Sequence, residues 1–432
     1  MNDSEQKTSK PALSVIQGGR LTPREFIALP MAEKMARLRE MPAGKRMDMI
    51  IEDPDGQTIA RKFAPQEYYL MLKEVGENDV MELLRFASTD QIAFCLDIDL
   101  WDKWSFCPEQ ACRWFEWLLG GGELDMLSKL RRLDPELLQL FLLDQLAVGG
   151  GSGDLALDEE RLASWDHTFD NTYYITFLHP ENARLMGTIL DIVYRLDQSF
   201  YLDLMEGCRF GVKSELEELS LQFRSGRLAD LGFPDYEQAI VIYAAIPPAD
   251  FVLTGGKHPV DFPPAIDSMM IAPPSGEDGT LLTRALAAVM NETLQQEMGF
   301  LLNSAIIAEH GGIPDEETIR NVAERFYGWL NIALEHLAKG DETAAASLLL
   351  SEPLQRLFRL GVGIVQEVAR EARSIKSDNY AAGKALRGLA SSRPRFYRGL
   401  DPDHADGYRE FRHLDDVSKV REFLAVLQDK SQ

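Results

Sequence analysis

The feature that most constrains the fold is a regular interval between the starts of short helical segments. In the segments MPAGKRM, FAPQEYY and ASTDQIA, the residues Pro42, Pro65 and Ser88 follow one another in steps of 23 residues, and a further start follows at Asp134. Apolar residues recur three and four positions apart after each start, which is typical of amphipathic helices. Because units this short cannot bury their apolar faces alone, the interval predicts a superhelical, solenoid-like stack over residues 21–148.

A minor β element is expected after this stack. The glycines within 149–153 predict a hinge, and the aromatic and β-branched residues of 172–177 predict one short strand. Helical periodicity returns over 183–196 and 213–229. We therefore assign residues 149–244 to a continuation of the helical stack that contains this strand.

The C-terminal part is predicted to be a helical bundle. Residues 245–280 are rich in proline and glycine, which predicts a crossing between two helical regions. Apolar spacing predicts one long helix over Leu282–His310, and Asp315 is expected to cap the next helix. Another helix is predicted over Leu354–Ser374. The chain as a whole is therefore predicted to be all-α, with residues 281–432 as its second helical region.

Composition and charge exclude several function classes. The chain has 45 Lys and Arg against 69 Asp and Glu, a formal charge of −24, so we expect no binding to double-stranded nucleic acid. The most apolar stretch, residues 240–253, is interrupted by Pro247 and Pro248, so no membrane insertion is expected. Four cysteines without a C-x-x-C pair, and a polar tail over 1–20, favour a cytoplasmic protein.

The charge is unevenly distributed. From Leu354 to the end, 15 Lys and Arg against 11 Asp and Glu give a local charge of +4. Within this part, residues 393–412 interleave arginines with aromatic rings, a pattern that can stack single-stranded bases. Acidic residues at 401, 403 and 406 in the same segment favour docking onto the acidic remainder of the chain or onto a partner.

Three strings resemble an uncharacterised bacterial family. The resemblance is carried by RSGRLADLGFPD at residues 224–235, which follows the acidic helix SELEE at 214–218, with LDIDLW at 96–101 and LFRLG at 357–361. It spans most of the chain after about residue 45. The family has no established activity, so the resemblance implies neither a ligand nor a catalytic residue.

The helical units before Val148 also resemble the cytosolic N-terminal domain of bacterial magnesium transporters. That domain is a right-handed helical superhelix whose carboxylates sense magnesium, so the resemblance implies a divalent-cation response. In this sequence we find neither a membrane segment nor anything similar to the CBS domain pair of those transporters.

Two clusters are candidate sites. Asp97, Asp99 and Asp102 place three carboxylates within six residues, and oxygen ligands of this kind suit Mg²⁺. The alternative is that they end or cap a helix beside Trp101. The second cluster lies on the helix predicted over 213–229, where its members offer either an acid/base carboxylate with a cation clamp or an ion-paired helix: Glu215, Glu217, Glu218, Arg224, Arg227 and Asp230.

No nucleotide, zinc or nucleophile motif is present, so no cofactor is predicted apart from Mg²⁺ at the aspartate cluster. The preferred hypothesis is a non-enzymatic cytoplasmic scaffold or regulatory module that binds a protein partner or itself, since stacked helices present extended surfaces. The alternatives are a Mg²⁺-responsive regulator and an enzyme that uses the cluster from Glu215 to Asp230.

Overall fold

Local capping chemistry sets the helix starts in the N-terminal part. The computed structural model describes residues 22–76, 80–151, 165–257, 279–313, 315–377 and 379–429. Its first helices are α1 (Pro23–Ile27), α2 (Met31–Arg39), α3 (Ala43–Glu52), α4 (Gly56–Ala60), α5 (Pro65–Val75), α6 (Val80–Phe86), α7 (Thr89–Asp99), α8 (Pro108–Leu119), α9 (Glu123–Leu130) and α10 (Pro135–Gln145). Pro42 precedes α3 and Pro65 opens α5. Ser88 caps α7, because its side chain accepts a hydrogen bond from the Gln91 amide while the Gln91 side chain accepts one from the Ser88 amide. The predicted starts are confirmed.

The β element consists of a hairpin in the middle of the chain. Strand β3 (Leu146–Gly150) pairs antiparallel with β4 (Tyr173–Phe177), so the predicted strand is confirmed. The hinge prediction needs a correction at Gly149 and Gly150, because both lie in β3 and pair with β4; residues 152 and 153 are outside the described residues. Two shorter hairpins are formed by β1 (Trp101–Asp102) with β2 (Ser105–Phe106), and by β5 (Phe396–Tyr397) with β6 (Tyr408–Arg409).

Helices resume after the hairpin and continue to the C-terminus. They are α11 (Ala183–Leu196), α12 (Gln198–Phe210), α13 (Lys213–Asp230), α14 (Tyr236–Ile240), α15 (Leu281–Val289), α16 (Glu292–His310), α17 (Glu316–Ala338), α18 (Glu342–Ser351), α19 (Leu354–Arg373), α20 (Tyr380–Ala390) and α21 (Leu414–Asp429). Single 3₁₀ turns lie at Pro180–Asn182, Val241–Tyr243, Pro248–Asp250 and Arg398–Leu400. The all-α prediction is confirmed, and no helix of the described residues is long and apolar enough to cross a membrane.

The prediction of one long helix from residue 282 to residue 310 is wrong. The chain leaves the helix at Met290 and restarts at Glu292, because Asn291 is extended and its side chain accepts a hydrogen bond from the Leu294 amide at 2.9 Å. α17 has 23 residues and exceeds α16, which has 19. The predicted cap at Asp315 is confirmed, since its carboxylate accepts the Thr318 amide at 2.9 Å.

The core of the C-terminal part lies where α17 and α19 cross. The ring of Phe358 is stacked 6.1 Å from that of Trp329 and tilted 5.1 Å from that of Phe326. All three side chains are fully buried, and burial of an aromatic side chain of this size stabilises the fold by about 1.5–3 kcal/mol. Buried side chains form one continuous apolar cluster from Phe26 to Leu424.

Candidate functional site

The two candidate clusters of the sequence meet at one contact between α7 and α13. Arg227 donates two parallel hydrogen bonds, each of 2.8 Å, to the two carboxylate oxygens of Asp97, and a third of 2.7 Å to Asp134. Arg224 donates from Nε to the carbonyl oxygen of Asp97 at 2.5 Å, and its guanidinium lies 5.8 Å from the Trp101 ring. The arginines of the string at residues 224–235 therefore bind the aspartate of the string at residues 96–101.

Burial and ion pairing have opposite effects on the pKa values of the charged groups in this contact. Asp97 is almost fully buried, and desolvation raises the pKa of its carboxyl group, although the hydrogen bonds and charges of Arg227 and Arg224 oppose that rise. Desolvation likewise lowers the pKa of the buried Arg224. At Arg227 the balance is reversed, because burial is outweighed by the hydrogen bonds and charges of Asp97 and Asp134, which raise the pKa of the guanidinium. The contact therefore holds α13 against α7 through an ion pair whose buried carboxylate is costly to leave unpaired.

The three aspartates of the predicted metal site face different neighbours. Asp97 faces α13, whereas Asp99 accepts hydrogen bonds from Tyr69 at 2.6 Å, Lys73 at 2.8 Å and Trp114 at 3.1 Å. Asp102 is exposed at the end of β1, where it pairs with Ser105 of β2. Within the described residues, no group of three or more His, Cys, Asp and Glu side chains is arranged to hold a metal ion. Magnesium binding here stays a prediction.

The second cluster is divided between two sides of α13. Glu217 does not pair with the arginines that share its side of the helix; its carboxylate accepts the Phe106 amide at 3.1 Å. Glu215, Glu218 and Asp230 are exposed, and Glu218 accepts a hydrogen bond from Gln222 at 3.3 Å. The arginines are thus directed towards α7, while three of the four acidic residues are directed towards solvent.

The solvent side of α13 also carries an apolar stripe. Val212, Leu219 and Phe223 are 51%, 40% and 43% exposed. Leu219 and Phe223, four residues apart, lie on one side of the helix, and Val212 is the extended residue that immediately precedes its first turn. Glu215 lies one turn before Leu219, and Glu218 is exposed on the same helix. We call these five residues the α13 face.

The turn after α13 anchors the helix to a second neighbour. Gly232 has φ of +79°, a conformation that favours glycine, and its carbonyl oxygen accepts a hydrogen bond from the Asn303 side chain of α16 at 3.1 Å. Phe233 is buried, and its ring lies 5.9 Å from that of Phe94 in α7. Asp235 accepts the Ser225 hydroxyl at 2.6 Å, which ties the turn back to the helix.

The arginine and aromatic segment over 393–412 folds against the chain itself. Arg409 binds Asp401 and Asp416 through paired hydrogen bonds of 2.7–2.9 Å, and its guanidinium lies 4.0 Å from the centre of the Phe396 ring. Glu410 accepts two hydrogen bonds from Arg325 of α17, at 2.9 and 2.8 Å. Internal contacts of this kind are one of the two forms of docking that the sequence favours for this segment.

A family relationship extends across nearly the whole chain. The sequence profile of a family described as a family of unknown function, DUF6178, matches residues 23–432. The chain belongs to this family. No curated protein and no solved structure matched the chain. The predicted membership of an uncharacterised family is therefore confirmed, while the likeness to magnesium transporters stays a prediction.

Sequence reasoning missed the partner of the arginines and the α13 face. Asp97 and Arg227 lie 130 residues apart, and no local sequence pattern predicts a contact over that distance. The exposed stripe was detectable in the sequence, because Val212, Leu219 and Phe223 are apolar residues seven and four positions apart. The same helix contains Leu216 and Leu228, which are buried. Within the described residues, α13 therefore carries an exposed apolar stripe in addition to its buried apolar positions.

Proposed function

We propose that this chain is a cytoplasmic protein-binding module whose docking surface is the α13 face. The observation that carries the proposal is the exposed stripe of Val212, Leu219 and Phe223 on a helix whose other side is already buried. Exposed aromatic and aliphatic side chains grouped on one rigid element are typical of interaction sites, whereas single exposed apolar residues are common on any surface.

The anchoring of α13 favours this use. Arg224 and Arg227 bind α7, and the following turn is held by Asn303, so the helix is fixed at its C-terminal half on two neighbours. A docking surface fixed before binding loses little conformational freedom on association. We infer that the paired arginines support the surface and do not themselves contact the partner.

The charge on the α13 face defines the chemistry of the partner. Glu215 lies one turn before Leu219, and Glu218 and Asp230 are exposed on the same helix. An amphipathic helix with an apolar stripe flanked by lysine or arginine matches this surface in shape and charge. The partner in our proposal is therefore a protein that presents a basic amphipathic helix.

A photo-crosslinking amino acid at Gln222, an exposed position beside the stripe, tests the proposal in the cells that produce the protein. We expect one discrete adduct whose crosslinked segment is a basic amphipathic helix. Phe223→Glu should abolish the adduct, because a charge in the centre of an apolar contact removes its main binding energy. A synthetic peptide of the crosslinked segment should then bind the purified chain, more weakly with Glu215→Lys and Glu218→Lys.

Leu124→Glu is the matched control, because Leu124 is 74% exposed but belongs to α9. It should leave both the adduct and peptide binding unchanged. An adduct that survives Phe223→Glu, or the absence of any adduct from position 222, would contradict the proposal.

The two alternative functions, a Mg²⁺-responsive regulator and an enzyme, can be compared with the same geometry. For a Mg²⁺-responsive regulator, millimolar Mg²⁺ should raise the melting temperature and Asp99→Ala should remove the effect, although the Lys73, Tyr69 and Trp114 donors already bind this carboxylate. For an enzyme, Glu215, Glu218 and Asp230 have no shared cleft with Arg224 and Arg227, which are directed towards α7. The geometry therefore favours the protein-binding module over both.

A further inference from the structure

A cavity in the C-terminal part is lined by arginines. It has a volume of about 630 Å³ and lies between the end of α16, the first half of α17, the end of α20 and the segment that leads into β5. Four of its lining residues are arginines, in a chain whose formal charge is −24: Arg325, Arg387, Arg393 and Arg395. The volume lies within the range of small-molecule sites.

The acidic residues at the cavity already have partners. Both oxygens of Glu410 accept hydrogen bonds from Arg325. Glu309 accepts one from Arg325 and one from the Tyr243 hydroxyl. Four arginines against these two glutamates leave a formal charge of +2 around the cavity. An anion that enters would therefore meet uncompensated positive charge.

The remaining arginines keep donors for a ligand. Arg393 and Arg395 approach Glu309 and Glu410 only at 3.6 Å, beyond a good hydrogen bond, and the Nε of Arg393 is buried without a hydrogen-bond partner. Each guanidinium carries five N–H groups. The Nε of Arg393 faces Glu309, so the terminal N–H groups of Arg393 and of the half-exposed Arg395 are the donors that would hold an oxyanion.

The cavity is also preorganised. The guanidinium of Arg393 lies 3.8 Å from the centre of the Tyr243 ring, and the backbone amide of Arg395 is fixed by a 3.0 Å hydrogen bond to the Gly388 carbonyl. Thr318 and Asn321 line the same cavity and provide neutral hydrogen-bonding groups. A stacked and positioned guanidinium loses little freedom when it binds an oxyanion.

From these observations we propose that the cavity binds a small molecule that carries a phosphoryl group, held by Arg393 and Arg395 with Arg387 at the rim. A phosphomonoester carries a charge of about −1.5 to −2 at neutral pH and presents three acceptor oxygens, which match the formal +2 and arginines that come from separate segments. The site is distinct from the α13 face and does not depend on the proposed function.

Calorimetric titration of the full chain tests the site with inorganic phosphate, ribose 5-phosphate and adenosine monophosphate. Succinate at equal ionic strength is the comparison for a dianion without a phosphoryl group. We expect at least one phosphoryl compound to bind with Kd below about 1 mM, and more tightly than succinate. Arg395→Gln should weaken binding at least about tenfold, because it removes charge-assisted hydrogen bonds.

Three further results decide the proposal. Arg395 is half exposed, so its variant should keep the melting temperature, whereas Arg393→Gln should weaken binding and is checked for folding by circular dichroism. Arg398→Gln is the matched control, because Arg398 pairs with Asp403 in the same segment but does not line the cavity. Absence of binding, equal binding of succinate, or binding unaffected by Arg395→Gln would each overturn the proposal.

Discussion

At the scale of single residues, the contact between Asp97 and Arg227 joins the string at residues 96–101 to the string at residues 224–235. Arg224 binds the carbonyl oxygen of the same aspartate, so one residue of α7 receives both arginines of α13. Removing one partner leaves an unpaired buried charge, whose desolvation destabilises the fold. Removing both partners removes that desolvation free energy as well. The pair is therefore expected to be strongly coupled.

We predict that Asp97→Ala lowers the free energy of unfolding by about 3 kcal/mol, because it removes the counter-charge of the buried Arg224, while Arg227 keeps its ion pair with Asp134. Arg227→Ala should also destabilise the protein. The double variant should lose clearly less free energy of unfolding than the two single variants lose in sum. Urea denaturation of the three variants measures the coupling energy. Additive losses in free energy of unfolding would show that the two residues are not coupled.

His413 gives a prediction with a defined pH dependence. Its ring lies 3.0 Å from the Glu335 carboxylate, which raises the pKa of His413 above its usual value although partial burial opposes the rise. Burial would raise the pKa of Glu335, but hydrogen bonds from His413 and from the Leu414 amide lower it. A histidine whose folded-state pKa is raised stabilises the fold fully below its unfolded pKa of about 6.5, and this stabilisation is lost as the pH rises through the folded value.

His413→Gln should therefore reduce stability more at pH 5.5 than at pH 8.5, when each variant is compared with the unaltered chain by urea denaturation. The extra loss at pH 5.5 should be below about 1 kcal/mol, because nearly half of the His413 side chain is exposed. His336→Gln, at an exposed position next to Glu335 on α17, is the control for general effects of histidine loss. A loss for His413→Gln that is the same at both pH values would contradict the assignment.

At the scale of elements, Gly361 permits the close crossing of α17 and α19. A Cβ atom at this position would overlap the carbonyl oxygen of Trp329, and the same is true of Gly328 against the carbonyl oxygen of Phe411. Neither oxygen belongs to a flexible side chain, so a backbone must shift to accept a methyl group. The close approach of the Trp329 backbone therefore favours glycine at position 361, the last residue of the string LFRLG.

We predict that Gly361→Ala lowers the free energy of unfolding by about 1–3 kcal/mol through overpacking. Gly383→Ala on α20 is the matched control, because nothing lies within 4 Å of a Cβ there. That variant should be neutral or stabilising by up to about 1 kcal/mol, since alanine is the better helix former. Chemical denaturation measures both, and equal effects would contradict the role of Gly361.

Elements that depend on local chemistry were predictable, and contacts between distant segments were not. Ser88 and Asp315 cap their helices through hydrogen bonds within three residues, so the sequence around them contained the whole cause. The break at Asn291 is equally local, but apolar periodicity continued across it and outweighed the cap in the prediction. Asp97 looked like a metal ligand because its arginines lie more than 120 residues away.

At the scale of the whole molecule, the turn at Gly232 and Phe233 connects the two helical regions. Phe233 packs against Phe94 in α7, and the Gly232 carbonyl binds Asn303 in α16. Tyr69 adds a further link, because its hydroxyl also lies 3.1 Å from the carbonyl oxygen of Ile313. The apolar cluster runs through this junction without interruption. A chain of this length commonly divides into several cores, so the junction decides whether the two regions unfold together.

We predict that Phe233→Ala lowers the opening free energy of α7 and α16 by the same amount, about 3–5 kcal/mol, because truncating a buried phenylalanine leaves a cavity shared by both regions. Native-state hydrogen exchange with mass spectrometry measures peptides from the two helices separately, so the comparison is made within one sample. Asn303→Ala should act in the same direction with a smaller effect, since it removes one hydrogen bond to the Gly232 carbonyl and leaves the packing intact. A loss of protection confined to α7 would show that the regions are separate folding units, and it would place a domain boundary between α14 and α16.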